Sequence, residues 1–394
     1  MSYHDRCGRS RRYPRCGHRV PRLGNSIHGG NVYAASRELG REVRRLIDFS
    51  ASINPLGPSP HVWRAITEAR RLITHYPDPD CWELRQALAQ YWQRQAEEIV
   101  VGNGSTELLD VLPRALKIRH LVIVHPTFSE YAASMARAGG RITTVYAKAR
   151  EQYAQPIEHL CQLLEKRQRN FDHIDGVLLC NPNSPTGQAC AVHDLFRLAD
   201  IAQRRKAWLI IDEAFADYCP DRSLLLSAAS WSRLVVLRSL TKFYALPGLR
   251  VGYAVAEPSA IEAFRRLMPP WSVNVMGQLA ALAAMRDAAH VRKSVRFMAR
   301  ERERFGRVLA ALPGCSVMPT YANYFFVELP RGCQARDITT QLRGEGLLIR
   351  DCSTVPGANS RSIRLAVRAQ NENDRLIRAL SRLLRHQYRE NQNS

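Results

Sequence analysis

The sequence predicts an α/β protein: a mostly parallel sheet of seven strands, then a smaller carboxyl-terminal α/β lobe. Three observations carry this prediction. Short apolar runs rich in β-branched residues recur at 99–101, 121–124, 142–146, 176–180, 207–211, 234–238 and 251–255, with stretches of helical periodicity between them. Such alternation is the mark of parallel strands joined by crossover helices. Beyond residue 257 the pattern turns helical, most clearly over 276–312. Short strands then return at 324–327, 347–350 and 362–368 before a last amphipathic helix. At 394 residues and 45% hydrophobic, the chain is long enough to bury a large core shared by two lobes. The expected division is 1–27 as a tail, 28–57 as a segment packing on the small lobe, 58–270 as the large domain and 271–394 as the small one.

Taken in order, residues 1–27 are polar and arginine-rich with no apolar centre, and read as a disordered basic tail rather than a secretory signal. His4, Cys7, Cys16 and His18 lie in it at spacings that match no common zinc module, so no metal is expected. His28-Gly29-Gly30-Asn31 follows, and then Asp48-Phe49-Ser50-Ala51-Ser52-Ile53-Asn54-Pro55, both on non-helical, Gly- or Pro-punctuated backbone. A Gly-Gly pair lets backbone N–H groups come close to an anion; read alone, a plain connecting loop fits equally well. Tyr76-Pro77-Asp78-Pro79 forms a turn before a helix around 84–91.

The next motif is Gly102-Asn103-Gly104-Ser105-Thr106-Glu107, a glycine turn between a strand and a helix. Free N–H groups and the positive end of the helix dipole suit a phosphate there, although an ordinary N-cap has the same composition. Phe128 follows the strand at 121–124, Asn181-Pro182-Asn183-Ser184-Pro185-Thr186-Gly187 follows that at 176–180, and Asp212 closes that at 207–211. In open α/β sheets, chemistry gathers in loops beyond the carboxyl ends of the strands. A carboxylate buried at such an end needs a cationic partner.

Only six of the 57 basic residues are lysines, and Lys242 stands between two apolar runs, three residues after Ser239 and eight before Arg250. Arginine keeps a charge, but only lysine can lose its proton and form an imine. At these spacings the amine can reach a carbonyl while the hydroxyl and guanidinium bind one phosphate. Pyridoxal phosphate offers both groups. Farther on, Arg350, Arg364 and Arg368 alternate with apolar residues, and the arginine fork suits carboxylate and phosphate.

Bulk properties exclude other classes. The formal charge of +21 raises nucleic-acid binding, but no basic run is interleaved with aromatics and no helix-turn-helix or zinc finger is present. The longest apolar runs have strand length, well short of the roughly 18 residues of a membrane span. Ten cysteines without a CxxC pair read as reduced thiols, as in a cytoplasmic protein.

The 30-residue step from Asp212 to Lys242, with Ser239 and Arg250, resembles the fold-type-I pyridoxal-phosphate enzymes of the aspartate aminotransferase superfamily. The resemblance covers about residues 28–390. It implies that Lys242 carries the cofactor as a Schiff base and that Asp212 meets its ring nitrogen. It further implies that Gly104, Ser105, Thr106, Ser239 and Arg250 hold its phosphate and that Phe128 stacks on its ring. Tyr76 would reach the phosphate bound by a partner in a homodimer. Two positions depart from the superfamily pattern: Ser184 stands for the usual Asn before Pro-Thr-Gly, with Asn183 one place earlier, and Phe215 stands for a frequent Tyr. Asn183 and Ser184 are thus the candidates for contacting the ring hydroxyl oxygen. The His28–Asn31, Asp48–Gly57, Asp212–Phe215 and Ser239–Tyr244 motifs together are similar to those of the threonine-phosphate decarboxylases, close kin of the histidinol-phosphate aminotransferases. That likeness implies a small phosphorylated amino acid as substrate, bound by His28, Gly29, Arg350 and Arg364, with Ser52 where the family has Asn.

Overall fold

The computed structural model describes residues 28–166 and 173–392. The expected tail, with His4, Cys7, Cys16 and His18, lies outside the described residues. Among the described residues thirteen strands run in chain order: β1 Ile47–Asp48, β2 Ile99–Asn103, β3 His120–His125, β4 Arg141–Tyr146, β5 Gly176–Cys180, β6 Trp208–Asp212, β7 Leu234–Ser239, β8 Val251–Val255, β9 Ser316–Val317, β10 Tyr324–Glu328, β11 Leu347–Leu348, β12 Arg350–Asp351 and β13 Ser362–Ala366.

All seven expected strands pair into one sheet, ordered β2-β8-β7-β6-β5-β3-β4. β8 is antiparallel to both neighbours and the other pairings are parallel. Helices cover both faces, which is why β3, β5, β6, β7 and β8 are buried along their whole length and read as apolar runs with polar residues only at their ends. Apolar side chains from alternate strand positions pack into separate cores on the two faces.

A four-stranded antiparallel sheet, β12-β13-β10-β9, forms beyond the long helices. The run at 347–350 is not one strand. Leu347–Leu348 pairs in parallel with β1, and Arg350–Asp351 turns away to pair with β13. The helical stretch at 276–312 is likewise divided, into Val275–Arg286 and Ala288–Ala310. Asp287 lies at the break. It accepts the His290 N–H at 3.0 Å to cap the second helix, and the Ser59 hydroxyl at 2.6 Å. A carboxylate N-cap satisfies a free amide at a helix start, so the helical period continues through a residue that is not helical.

Candidate active site

The carboxyl ends of β5, β6 and β7 open onto a cavity of about 300 Å³. One end of it is a cup. The helix Ser105–Ala115 starts after Gly104 with no side chain capping its first turn, so its amide groups remain available beside the hydroxyls of Ser105 and Thr106. Gly104 has φ 75°, and a Cβ there would stand 2.5 Å from Arg250 Nη2. On β8, a Cβ at Gly252 would lie 2.3 Å from the Ser105 nitrogen. Both glycines let the cup close around Arg250. Ser239 and Thr241 complete it, their hydroxyls sharing a 2.7 Å hydrogen bond.

At the centre stand Lys242 and Asp212. Burial, followed by the charges of Arg364 and Arg250, lowers the Lys242 amine from 10.5 to about 8, against the opposing pull of Asp212 and Asp48. Asp212 is buried, and loss of water pushes its carboxyl above the usual range. Two donors oppose that: the Tyr131 hydroxyl to Oδ2 at 2.7 Å and the Ala214 N–H to Oδ1 at 3.0 Å. Phe128 lies on the cavity wall, edge-on to Tyr131 at 5.6 Å between ring centroids.

A further part of the wall is cationic. Arg350 and Arg364 are directly paired across β12 and β13, and both line the cavity. Like charges at facing positions repel. Burial first, and Arg364 among its neighbours, lowers the Arg350 guanidinium. Arg364 is held in place by donating to the Ser184 hydroxyl at 2.9 Å and to the Ser50 carbonyl at 2.7 Å, with its guanidinium 5.0 Å from the Tyr324 ring centre. Arg364 Nε and Ser52 Oγ are buried without a hydrogen-bond partner. His28 and Gly29 form the rim. Gly29 is required by space, since a Cβ would lie 2.2 Å from the Ser50 carbonyl oxygen. His28 Nε2 is 2.9 Å from Glu130, and its ring is 5.5 Å from that of Phe128.

The cavity thus gathers His28, Gly29, Ser52, Ser105, Thr106, Phe128, Ser184, Asp212, Ser239, Lys242, Arg250, Arg350 and Arg364 from the sequence-derived set. Gly104 does not itself line the cavity, although it lies against Arg250, and two further members stand apart. Asn183 is buried but does not line the cavity: its side chain donates to the Pro126 carbonyl and Thr186 hydroxyl and accepts from Thr127. Its side chain is thus committed to Thr186 in its own loop and to Pro126 and Thr127 in the neighbouring one, so the structure does not bring it to the cavity where a ring contact was expected of it. Tyr76 is 81% exposed and packs on Trp271 at 4.9 Å, on the outer surface. Arg368 also turns away, to Glu372 and the Asp48 carbonyl. Sequence reasoning missed Tyr131 and Thr241. Tyr131 lies in the first turn of the helix Glu130–Arg137, just after Phe128, and only the structure shows its hydroxyl facing Asp212.

Comparison with known proteins agrees with this arrangement. The chain is 38% identical to the threonine-phosphate decarboxylase of Salmonella typhimurium over 92% of its own length and 98% of that relative. Its fold matches the crystal structure of L-threonine-O-3-phosphate decarboxylase from Porphyromonas gingivalis with a TM-score of 0.76 and 25% identity, covering 86% of this chain and 99% of that one. It matches histidinol-phosphate aminotransferase from Sinorhizobium meliloti, solved with pyridoxal-5'-phosphate, with a TM-score of 0.81 and 25% identity over 94% and 99% of the two chains. Residues 44–383 fit the family described as aminotransferase class I and II. The fold-type-I sheet, the lysine–aspartate pair at its strand ends and this match over most of the sequence agree: the chain belongs to the class I and II aminotransferase family.

Proposed function

We propose that the chain is a pyridoxal-phosphate-dependent decarboxylase of L-threonine O-3-phosphate, releasing CO2 and (R)-1-aminopropan-2-ol O-phosphate for cobalamin synthesis. The observation that carries this reading is the cross-strand pair Arg350–Arg364, a second cationic site on the wall facing Lys242 and separate from the cup of Ser105, Thr106, Ser239 and Arg250. A cofactor phosphate needs one such site. A substrate bearing both carboxylate and phosphate needs another.

The residues fit the cofactor: cup for its phosphate, Lys242 for its aldehyde, Asp212 for its ring nitrogen and Phe128 for its ring face. When bound, it supplies an electron-withdrawing pyridinium that weakens the bonds at the substrate α-carbon. The chain's own residues decide which bond breaks. Arg364, locked by Ser184 and the Ser50 carbonyl, and Arg350 with His28 hold the substrate's anionic groups and set its rotation about the bond to nitrogen. Turning the carboxylate perpendicular to the ring favours loss of CO2. Lys242, whose amine burial and the nearby arginines bring to about 8, then donates the proton that replaces CO2 at the α-carbon and recovers one from solvent. Phe215 offers no hydroxyl to the cavity and Ser184 offers one already shared with Arg364.

The reading extends to location and assembly. No described helix is long and apolar enough to cross a membrane, and the eight described cysteines are free thiols, which supports a cytoplasmic site of action. Exposed Trp63, Tyr76, Trp82 and Trp271 support a homodimer in which Tyr76 serves the partner's cup. Residues 58–270 and 271–394 act as large and small domains, with 28–57 crossing between them.

Incubation with threonine phosphate should release CO2 and aminopropanol phosphate in equal amounts. The second reading, favoured by the likeness to histidinol-phosphate aminotransferases, is tested with histidinol phosphate and 2-oxoglutarate. Glutamate formation without CO2 from threonine phosphate would reverse the assignment.

A further inference from the structure

The residue after Asp212 and the residue before Ser239 meet behind the cavity. Arg238 is the largest fully buried side chain among the described residues, and its Nε lies 3.0 Å from Glu213 and its Nη1 3.3 Å from Asp217. Its Nη2 donates to the Ser223 hydroxyl at 3.0 Å, and that hydroxyl donates to Glu213 at 2.5 Å. The Leu224 N–H donates to the other Glu213 oxygen at 2.7 Å, and the Trp92 ring centre is 4.9 Å from the guanidinium carbon. None of these groups lines the cavity, as strand alternation requires of the neighbours of Asp212 and Ser239.

Stability alone does not explain such a cluster. Removing charges from water costs several kcal/mol per ion, and apolar side chains of equal volume commonly do as well or better. Apolar packing, however, has no preferred direction. A buried guanidinium instead selects its partners: Nη2 makes a directed hydrogen bond to Ser223, while Nε and Nη1, without hydrogen-bond geometry, hold Glu213 and Asp217 as ion pairs at 3.0 and 3.3 Å. Here the partners belong to the ends of adjacent strands: Asp212 pairs with Leu237, and the Glu213 N–H donates to the Leu237 carbonyl at 2.8 Å. The ion pairs to Glu213 and Asp217 and the hydrogen bond to Ser223 also anchor the 213–223 segment, which carries Ala214 and Phe215 into the cavity wall.

We infer that Arg238 and Glu213 are positioning residues that set the separation between Asp212 and Ser239, so that one ligand can be gripped at its ring nitrogen and its phosphate together. This rests on the pyridoxal-phosphate reading. A ligand touching only one end should be indifferent to the clamp.

The test compares the cofactor-free wild type with Arg238→Lys, which keeps a charge and loses the fork, and with Glu213→Gln, a near-isosteric change that secures a readout should the first variant fold poorly. Pyridoxal phosphate and inorganic phosphate are titrated against each, and melting temperature is recorded. The expected result is a dissociation constant for pyridoxal phosphate raised about tenfold or more in Arg238→Lys and severalfold in Glu213→Gln, with inorganic phosphate bound as in the wild type. Unchanged pyridoxal-phosphate affinity beside a lowered melting temperature would make the cluster merely structural and overturn the inference. Equal loss for both ligands would overturn it too, since the cup itself would then be damaged. A wild type that fails to bind pyridoxal phosphate would instead remove the functional reading beneath it.

Discussion

Lys242 shows how much one residue's surroundings decide. Burial and two arginines bring its amine to about 8, so roughly a tenth of molecules carry it neutral at pH 7, where an unperturbed lysine would be almost wholly charged. Attachment of pyridoxal phosphate to the cofactor-free protein, followed by borohydride trapping at position 242, should therefore speed up as pH rises and level off above about pH 8. Lys242→Arg keeps the charge but cannot form the bond, and should lower turnover at least a thousandfold. Tyr131→Phe removes a donor to Asp212, whose carboxyl burial already raises. The variant should bind the cofactor severalfold more weakly, about 1 kcal/mol, and lose it at a higher pH than the wild type as acidity increases, because the carboxylate protonates sooner. Spectral titration of both proteins from pH 5 to 8 checks this. Lys242 and Asp212 were legible in the sequence because only those residue types perform imine and pyridinium chemistry at that spacing. Tyr131 was not, since a tyrosine on an apolar helical face looks like core until its hydroxyl is seen to face an acid. Asn183 shows the opposite case: moved by one place, an otherwise suitable side chain ties its loop to the neighbouring one at Pro126 and Thr127 instead of lining the cavity.

Strands and helices were read more completely than their ends. Central parallel strands are buried on both faces, so their apolar runs announce themselves. Two-residue strands such as β11 and β12 carry no period, and the change of partner between Leu348 and Arg350 depends on contacts far away in sequence. That change is nevertheless what brings Arg350 opposite Arg364. At the other end of the site, β8 runs between β2 and β7, with Gly252 paired to Gly102 and to Ser239. A methyl group at Gly252 would lie 2.3 Å from the Ser105 nitrogen and 2.9 Å from the Arg238 carbonyl oxygen, both backbone atoms that cannot swing aside. Gly252→Ala should therefore destabilise the protein by about 1–3 kcal/mol and weaken cofactor binding beyond what that loss explains. Denaturant unfolding with and without pyridoxal phosphate separates the two effects.

For the molecule as a whole, the amino-terminal segment acts as a bridge. The Asn54 N–H donates to the Lys242 carbonyl at 3.0 Å, and its side-chain amide donates to the Phe243 carbonyl and the Ser294 hydroxyl, each at 2.9 Å. Asn54→Ala leaves two buried acceptors without that donor, and should cost about 1–3 kcal/mol in unfolding free energy while lowering turnover through the reactive loop. Equilibrium sedimentation should give a species of twice 44.7 kDa, and Trp271→Asp at the exposed aromatic face should shift it toward the monomer. The bridge has an implication for how the enzyme comes into being. Chains emerge from the ribosome amino end first, and every residue the chain brings to its own phosphate cup lies between positions 104 and 250, whereas the paired arginines come only at 350 and 364. The phosphate cup is thus complete in the chain before either of the two paired arginines is made, and the strand at 47–48 must wait some three hundred residues for its mate at 347–348.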